Sequence, residues 1–404
     1  MFNKKVINGS LILLIAFGIF NLLNFLYQFA MARMLSISDY GILATLFAIT
    51  YIFSVFAESI QTIVAKYTVE AKNNGQVRGL LNKSLNKGSI LATKIFIVYL
   101  IICLGLAYFF KISYLLLALN GIILYFMFLL PVSRGAMQGK KRFVALGSNL
   151  IIESAMKLIL GAGFVFVGWK IYGAIGGFTL GALIAFLMSF IPLKNIYEAK
   201  EEKFTNDSFY SYAKPTFFIT AIIVLFYSID VIIVKILFDP VTAGAYAIAS
   251  ILGKVILWVT VPIGKAMFPL SAESRNDSQS NKKILSTTIV IMILIIVSIL
   301  TLFYFLPDLI VRLFSGESII EASRVLFYLG IAFGMISLAN MIFIYQLSIG
   351  KIKKYRILIL CNILEVLILI SSYQSIERFS ISFALSSFIL LIASILFARI
   401  NRHL

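Results

Sequence analysis

Six ionisable residues interrupt otherwise apolar stretches of this chain: Glu58, Glu153, Lys157, Asp230, Lys254 and Glu365. An ionisable group at the middle of a membrane helix costs at least about 2.5–3.5 kcal/mol, so each needs a partner or an aqueous cavity. Counted from the nearest expected helix end, Lys157 and Lys254 each lie about 16–20 Å deep. Two ammonium groups at that depth, facing one hydrated cleft, would bind an anion. Lysine suits this as a loosely held point charge, because release matters as much as capture.

The acids leave more than one role open. Glu153 and Lys157 are four residues apart and share a helical face, where they either neutralise each other or line a cavity together. Asp230 precedes Lys235 by five residues, about 500° around a helix, so those two do not share a face. Asp230 is expected either to meet Lys254 across helices or to hold a proton or sodium ion for coupling. For Glu58 and Glu365, nearer the helix ends, structural and coupling roles stay open. Asn21, Asn24 and Gln28 follow an i, i+3, i+7 spacing on one stripe. That stripe suits either a path for hydroxyl-bearing substrate or hydrogen bonds to neighbouring helices. Asn362 and Glu365 repeat the pattern weakly. Gly173, Gly177 and Gly181 form a small-residue ridge, read as close helix packing.

These residues need helices to position them, and the composition supplies them. The chain has 404 residues, 61% hydrophobic and only 13% charged, against roughly a quarter charged in soluble domains. Runs of about 20 apolar residues span a bilayer as helices. Twelve are expected, near 9–32, 40–64, 89–110, 113–133, 144–167, 171–192, 214–237, 243–268, 285–306, 322–347, 357–374 and 380–398. Strict two-residue alternation is missing, which argues against an outer-membrane barrel. Lys4 and Lys5 precede the first run, and Ala30-Met31-Ala32 closes it like a cleavage site. The run is too long for a signal core and carries three polar residues, so it reads as a membrane helix.

With the N-terminus placed in the cytoplasm, 26 of the 35 Lys and Arg fall on inner segments, fixing both termini inside. Arg33 falls at the outer rim and Lys235 near it. The net charge of +18 then serves orientation and contact with anionic lipid. Nucleic-acid binding is not expected, since the basic residues are dispersed over seven inner segments. The longest inner segments, Lys66–Gly88, Leu193–Ala213 and Leu270–Ile284, are expected to hold short interfacial helices. One histidine (His403) and two cysteines (Cys103, Cys361) exclude His-ligated metal sites, His-based triads and a disulfide framework. No nucleotide or dinucleotide motif follows a strand. No cofactor, no metal and no enzymatic activity are therefore expected.

The two halves match at their first hairpins. Residues 28–41 read QFAMARMLSISDYG and residues 230–244 read DVIIVKILFDPVTAG. At an offset of 202, Gln28 faces Asp230 and Arg33 faces Lys235; one inserted residue then brings Gly41 to Gly244. Six spans per half give parallel repeats about an axis along the membrane normal. The expected architecture is all-α and integral to the membrane: two six-helix bundles, 1–205 and 206–404, around a central cleft.

The segment ARMLSISDYGILATL, with SIDVIIVKILFDPVTAGAYAIASIL and VPIGKAMFPLSAES in the second half, resembles the polysaccharide-export (Wzx-type) flippases of the multidrug/oligosaccharidyl-lipid/polysaccharide superfamily. The resemblance implies alternating-access movement of a polyprenyl-diphosphate-linked oligosaccharide from the inner to the outer leaflet of the plasma membrane. Lys157 and Lys254 would then meet the diphosphate at mid-membrane, and Arg33 and Lys235 would receive it on exit. A proton- or sodium-coupled multidrug antiporter of the same superfamily is the nearest alternative. A membrane polysaccharide polymerase or ligase fits less well, because no outer loop is long enough to carry catalytic residues.

Overall fold

The computed structural model describes residues 4–203, 214–273, 278–349 and 357–402. They are helical apart from short connecting turns, without a strand among the described residues. The first half holds α1 (Lys4–Met34), α2 (Ile37–Glu70), α3 (Asn74–Phe110), α4 (Tyr114–Gly139), α5 (Phe143–Phe164), α6 (Lys170–Met188) and the short α7 (Lys194–Tyr197). The second holds α8 (Lys214–Leu237), α9 (Pro240–Glu273), α10 (Ser278–Phe305), the short α11 (Pro307–Ser315), α12 (Ile320–Ser348), α13 (Ile357–Ile370) and α14 (Ile376–Arg402). The chain divides into two compact units, Met1–Lys214 and Pro215–Leu404.

Ten stretches among the described residues are long and apolar enough to cross a membrane. One of them, Phe143–Tyr197, runs to 55 residues and contains both α5 and α6. Leu358–Ile370 forms a further, shorter apolar helix. The charged segments expected to carry separate interfacial helices behave differently. α2 continues to Glu70 and α3 begins at Asn74, so the segment 66–88 is mostly an extension of two long helices. Lysines and polar residues there keep good helix propensity, so the helix outlasts its apolar stretch. α7 is a separate short helix; residues 204–213 and 274–277 lie outside the described residues.

Local chemistry explains where helices begin. Ser36 caps α2 by accepting a hydrogen bond from the Asp39 amide at 3.2 Å. Asp239 caps α9 by accepting from the amides of Val241 and Thr242 at 3.0 and 3.1 Å. Asn73 caps α3 by accepting from the Gln76 amide at 2.9 Å.

Within the first unit α2 packs on α4, α3 on α4, α4 on α6, and α5 on both α1 and α6. Within the second, α9 packs on α12, α10 on α12, α12 on α14 and α13 on α14; Phe226 of α8 stacks near Phe383 of α14. The glycine ridge of α6 lies against α5. Gly177 sits on the backbone of Gly161, and Gly181 on that of Lys157, a closeness that a β-carbon would block. α3 and α10 turn exposed Ile97, Val98, Ile101, Val290, Leu294 and Val297 outward, as lipid-facing helices do.

Candidate functional site

In the first unit, the site begins with Glu153 on α5. Its carboxylate takes the Arg134 guanidinium of α4 at 2.5 Å on one oxygen and the Lys157 ammonium, one turn along α5, on the other. Arg134 also donates to the Asn149 side-chain oxygen at 2.8 Å, and Asn149 donates to the Ala185 carbonyl of α6 at 2.7 Å. All four side chains are buried. The Lys157 ammonium stands 3.9 Å from the centroid of Phe178, whose ring packs on Phe47. One acid thus answers two basic side chains, a formal excess of one positive charge when all three are ionised, in a low-dielectric setting where each interaction is strong. Sequence reasoning left the pairing of Glu153 with Lys157 open, and Arg134 falls just beyond the expected span 113–133. The i, i+15 and i, i+19 relations of Arg134 to Asn149 and Glu153 carry no periodic signal. Only the packing of α4 beside α5 brings them together.

In the second unit, one stripe of α9 carries Tyr246, Ser250 and Lys254 at four-residue spacing. Asp230 of α8 accepts from the Tyr246 hydroxyl at 3.1 Å and the Ser250 hydroxyl at 3.0 Å through one oxygen. Its other oxygen has no hydrogen-bond partner among the described residues. Asp230 is the opposing charge that acts on Lys254, yet no carboxylate among the described residues comes within 4.0 Å of that ammonium. Lys254 instead lies 5.5 Å from the Phe333 ring centroid. On α13, Glu365 is fully buried and neither of its oxygens meets a donor among the described residues. Asp230 acts on it electrostatically. Asn362, three residues earlier, also leaves its amide atoms unpaired. Sequence reasoning left Asp230 either meeting Lys254 across helices or holding a coupling ion. It missed Tyr246 and Ser250, whose i, i+4, i+8 alignment with Lys254 was the available signal.

The remaining residues fall elsewhere. Arg33 is exposed at the end of α1, its guanidinium 4.5 Å from the Phe29 ring centroid. Lys235 is buried in the last turn of α8. Glu58 is exposed on α2. Of the polar stripe, Asn21 is exposed, Asn24 donates to the Phe20 carbonyl at 2.8 Å, and Gln28 is buried and accepts from the Tyr40 hydroxyl at 3.3 Å. Among the described residues no three of His, Cys, Asp and Glu group as metal ligands would.

The long apolar helices define a multi-pass, all-helical membrane protein. It resembles an inward-facing multidrug resistance MATE family transporter of the MOP superfamily, with a TM-score of 0.76 and 13% identity over 95% of this chain and 94% of that one. It is also similar to the lipid II flippase MurJ in an inward closed conformation, at 0.67 and 15% over 98% and 88%. A MOP superfamily transporter from Pyrococcus furiosus matches at 0.64 and 14% over 98% and 95%. Residues 6–275 match the family described as polysaccharide biosynthesis protein, and the chain belongs to that family. Comparison with curated protein sequences gives no match.

Proposed function

We propose that this protein is a flippase that moves a polyprenyl-diphosphate-linked oligosaccharide from the inner to the outer leaflet of the plasma membrane, for export of surface polysaccharide. The observation that carries the reading is that each unit buries one lysine deep in an apolar helix beside an aromatic ring, Lys157 on Phe178 and Lys254 on Phe333. In a chain of the polysaccharide biosynthesis family, such cations suit the one strongly anionic part of the substrate.

The reading takes twelve crossings, both termini in the cytoplasm, and two repeated halves that alternate access to a central cleft. Three features support the repeat. Ser36 and Asp239 cap helices at corresponding positions of the matched hairpins. The aligned Gln28 and Asp230 each accept from a tyrosine hydroxyl of the following helix, Tyr40 and Tyr246, although the two tyrosines do not themselves align. The second helix packs on the fourth, the third on the fourth and the fifth on the sixth in both. The diphosphate is held first by Lys157 and Lys254 and then released past Arg33 and Lys235, while the polyprenyl tail stays in lipid. Asp230 and Glu365 are the coupling acids. A buried carboxylate without a donor is costly until it takes a cation, which gives a proton or sodium ion a reason to bind there. Those acids equally suit the antiporter alternative; the surplus positive charge around Glu153 favours an anionic substrate.

The test is surface polysaccharide in cells that lack their own exporter and carry this protein. Lys254→Met should abolish export with the protein still inserted, and Lys254→Arg should retain part of it. Full export by Lys254→Met would remove the proposed headgroup site.

A further inference from the structure

An open surface hollow of about 420 Å³ lies on the first unit, lined by Asp39, Gly168, Trp169, Lys170, Ile171 and Tyr172. It forms because α1 and α5 run side by side in the same direction, Ala16 against Gly147 and Tyr27 against Gly161. The α1–α2 and α5–α6 turns therefore meet at one end of the unit. Its size is within the range of small-molecule sites. We propose that this cavity is a saccharide-binding subsite, one that would take sugar residues of the glycan as they leave the membrane; this rests on the flippase reading above.

The backbone is arranged to present an aromatic ring. α5 ends in a wide turn, Val165–Trp169, in which Gly168 has φ +99°. Lys170 follows at φ +48° and ψ −135°, a conformation that costs a non-glycine residue about 1–3 kcal/mol and persists only where the surroundings enforce it. The result places Trp169 with one face stacked on Phe164, ring centroids 5.0 Å apart, and 57% of the residue exposed. Tyr172 stands exposed nearby. Asp39 and Lys170 line the same cavity without forming an ion pair among the described residues. The Asp39 amide is committed to Ser36, while its carboxylate keeps its acceptor sites. An aromatic face for the C–H side of a pyranose, with a carboxylate accepting hydroxyls and an ammonium donating to them, matches the two kinds of surface a sugar displays. A lipid headgroup would need the charges but not the strained turn that holds the indole outward.

Trp169 and Trp258 are the two tryptophans, so full-length Trp258→Phe protein in phosphatidylglycerol nanodiscs makes Trp169 the reporter. If that variant misfolds, the difference between wild type and Trp169→Phe serves instead. Cellobiose, N-acetylglucosamine and galacturonic acid are titrated against glycerophosphoethanolamine. A saturable change in emission with at least one saccharide, weakened at least tenfold in Asp39→Asn and Tyr172→Ala, is the expected result. Saturation by glycerophosphoethanolamine alone would make the cavity a headgroup site, and silence from all probes would leave an aromatic anchor; either overturns the proposal. Translocation of a lipid-linked glycan without saccharide binding at Trp169 would sink this subsite and spare the flippase reading. Saccharide binding without translocation would do the reverse.

Discussion

The two units bury their charges in opposite ways. In the first, Glu153 is satisfied on both oxygens, by Arg134 and Lys157, and Asn149 ties the group to α6. In the second, among the described residues, Lys254 has no carboxylate within 4.0 Å, one oxygen of Asp230 is unpaired and Glu365 meets no donor. A closed ionic network holds three helices in fixed relation. Buried groups left short of partners are those whose charge state or occupancy can change. On the proposed reading, the first half supplies the cationic cluster for the substrate and the second supplies the acids that couple to a cation.

The comparison breaks most visibly at Glu153. Glu153→Gln leaves Arg134 and Lys157 buried together without an acid, and loss of a buried partner costs about 3–5 kcal/mol. Thermal unfolding in detergent should show that loss, and a fall below about 1 kcal/mol would mean the cluster is hydrated and weak. Gly177→Ala tests how tightly α6 must approach the helix that carries Lys157. Its β-carbon would meet the Gly161 backbone, and overpacking of this kind costs about 1–3 kcal/mol; an unchanged midpoint would show that the two helices separate freely.

The matched turns sharpen the comparison at smaller scale. Asp239→Ala and Ser36→Ala should each cost about 1 kcal/mol as lost caps. Only the first is titratable. Hydrogen bonds from Thr242 and Val241 hold the Asp239 carboxyl below its ordinary 3.8, so its contribution is complete above that value and disappears as pH falls through the lower folded one. Asp239→Ser should remove this acid dependence, and its survival in that variant would assign the effect to another group. Glu365→Gln is expected to have the smallest effect on stability, below about 1 kcal/mol, because no ion pair is broken. It should nevertheless abolish the dependence of transport on proton or sodium gradients. Retention of that dependence would exclude Glu365 from coupling.

Much of this was legible in the amino-acid order. Hydropathy places the apolar helices because the bilayer sets their length, and four-residue spacing anticipates the Glu153–Lys157 contact. The extension of α2 and α3 beyond their apolar windows was not visible, since polarity was taken for the end of a helix. Arg134 falls one residue beyond the expected span 113–133, although it sits buried in α4 against α5. Its partners become neighbours only through tertiary packing. The unsatisfied state of Glu365 was equally hidden: a sequence reveals a buried acid but not the missing donors around it. The cavity at Trp169 depends on a backbone turn that only Gly168 foreshadows.

The most direct measurement is the leaflet-to-leaflet transfer rate of a polyprenyl-diphosphate saccharide in proteoliposomes, comparing wild type with Lys157→Met/Lys254→Met of verified fold. The account predicts that the double variant falls to the protein-free rate, while either single variant falls at least tenfold. Transfer at the wild-type rate by the folded double variant would contradict it.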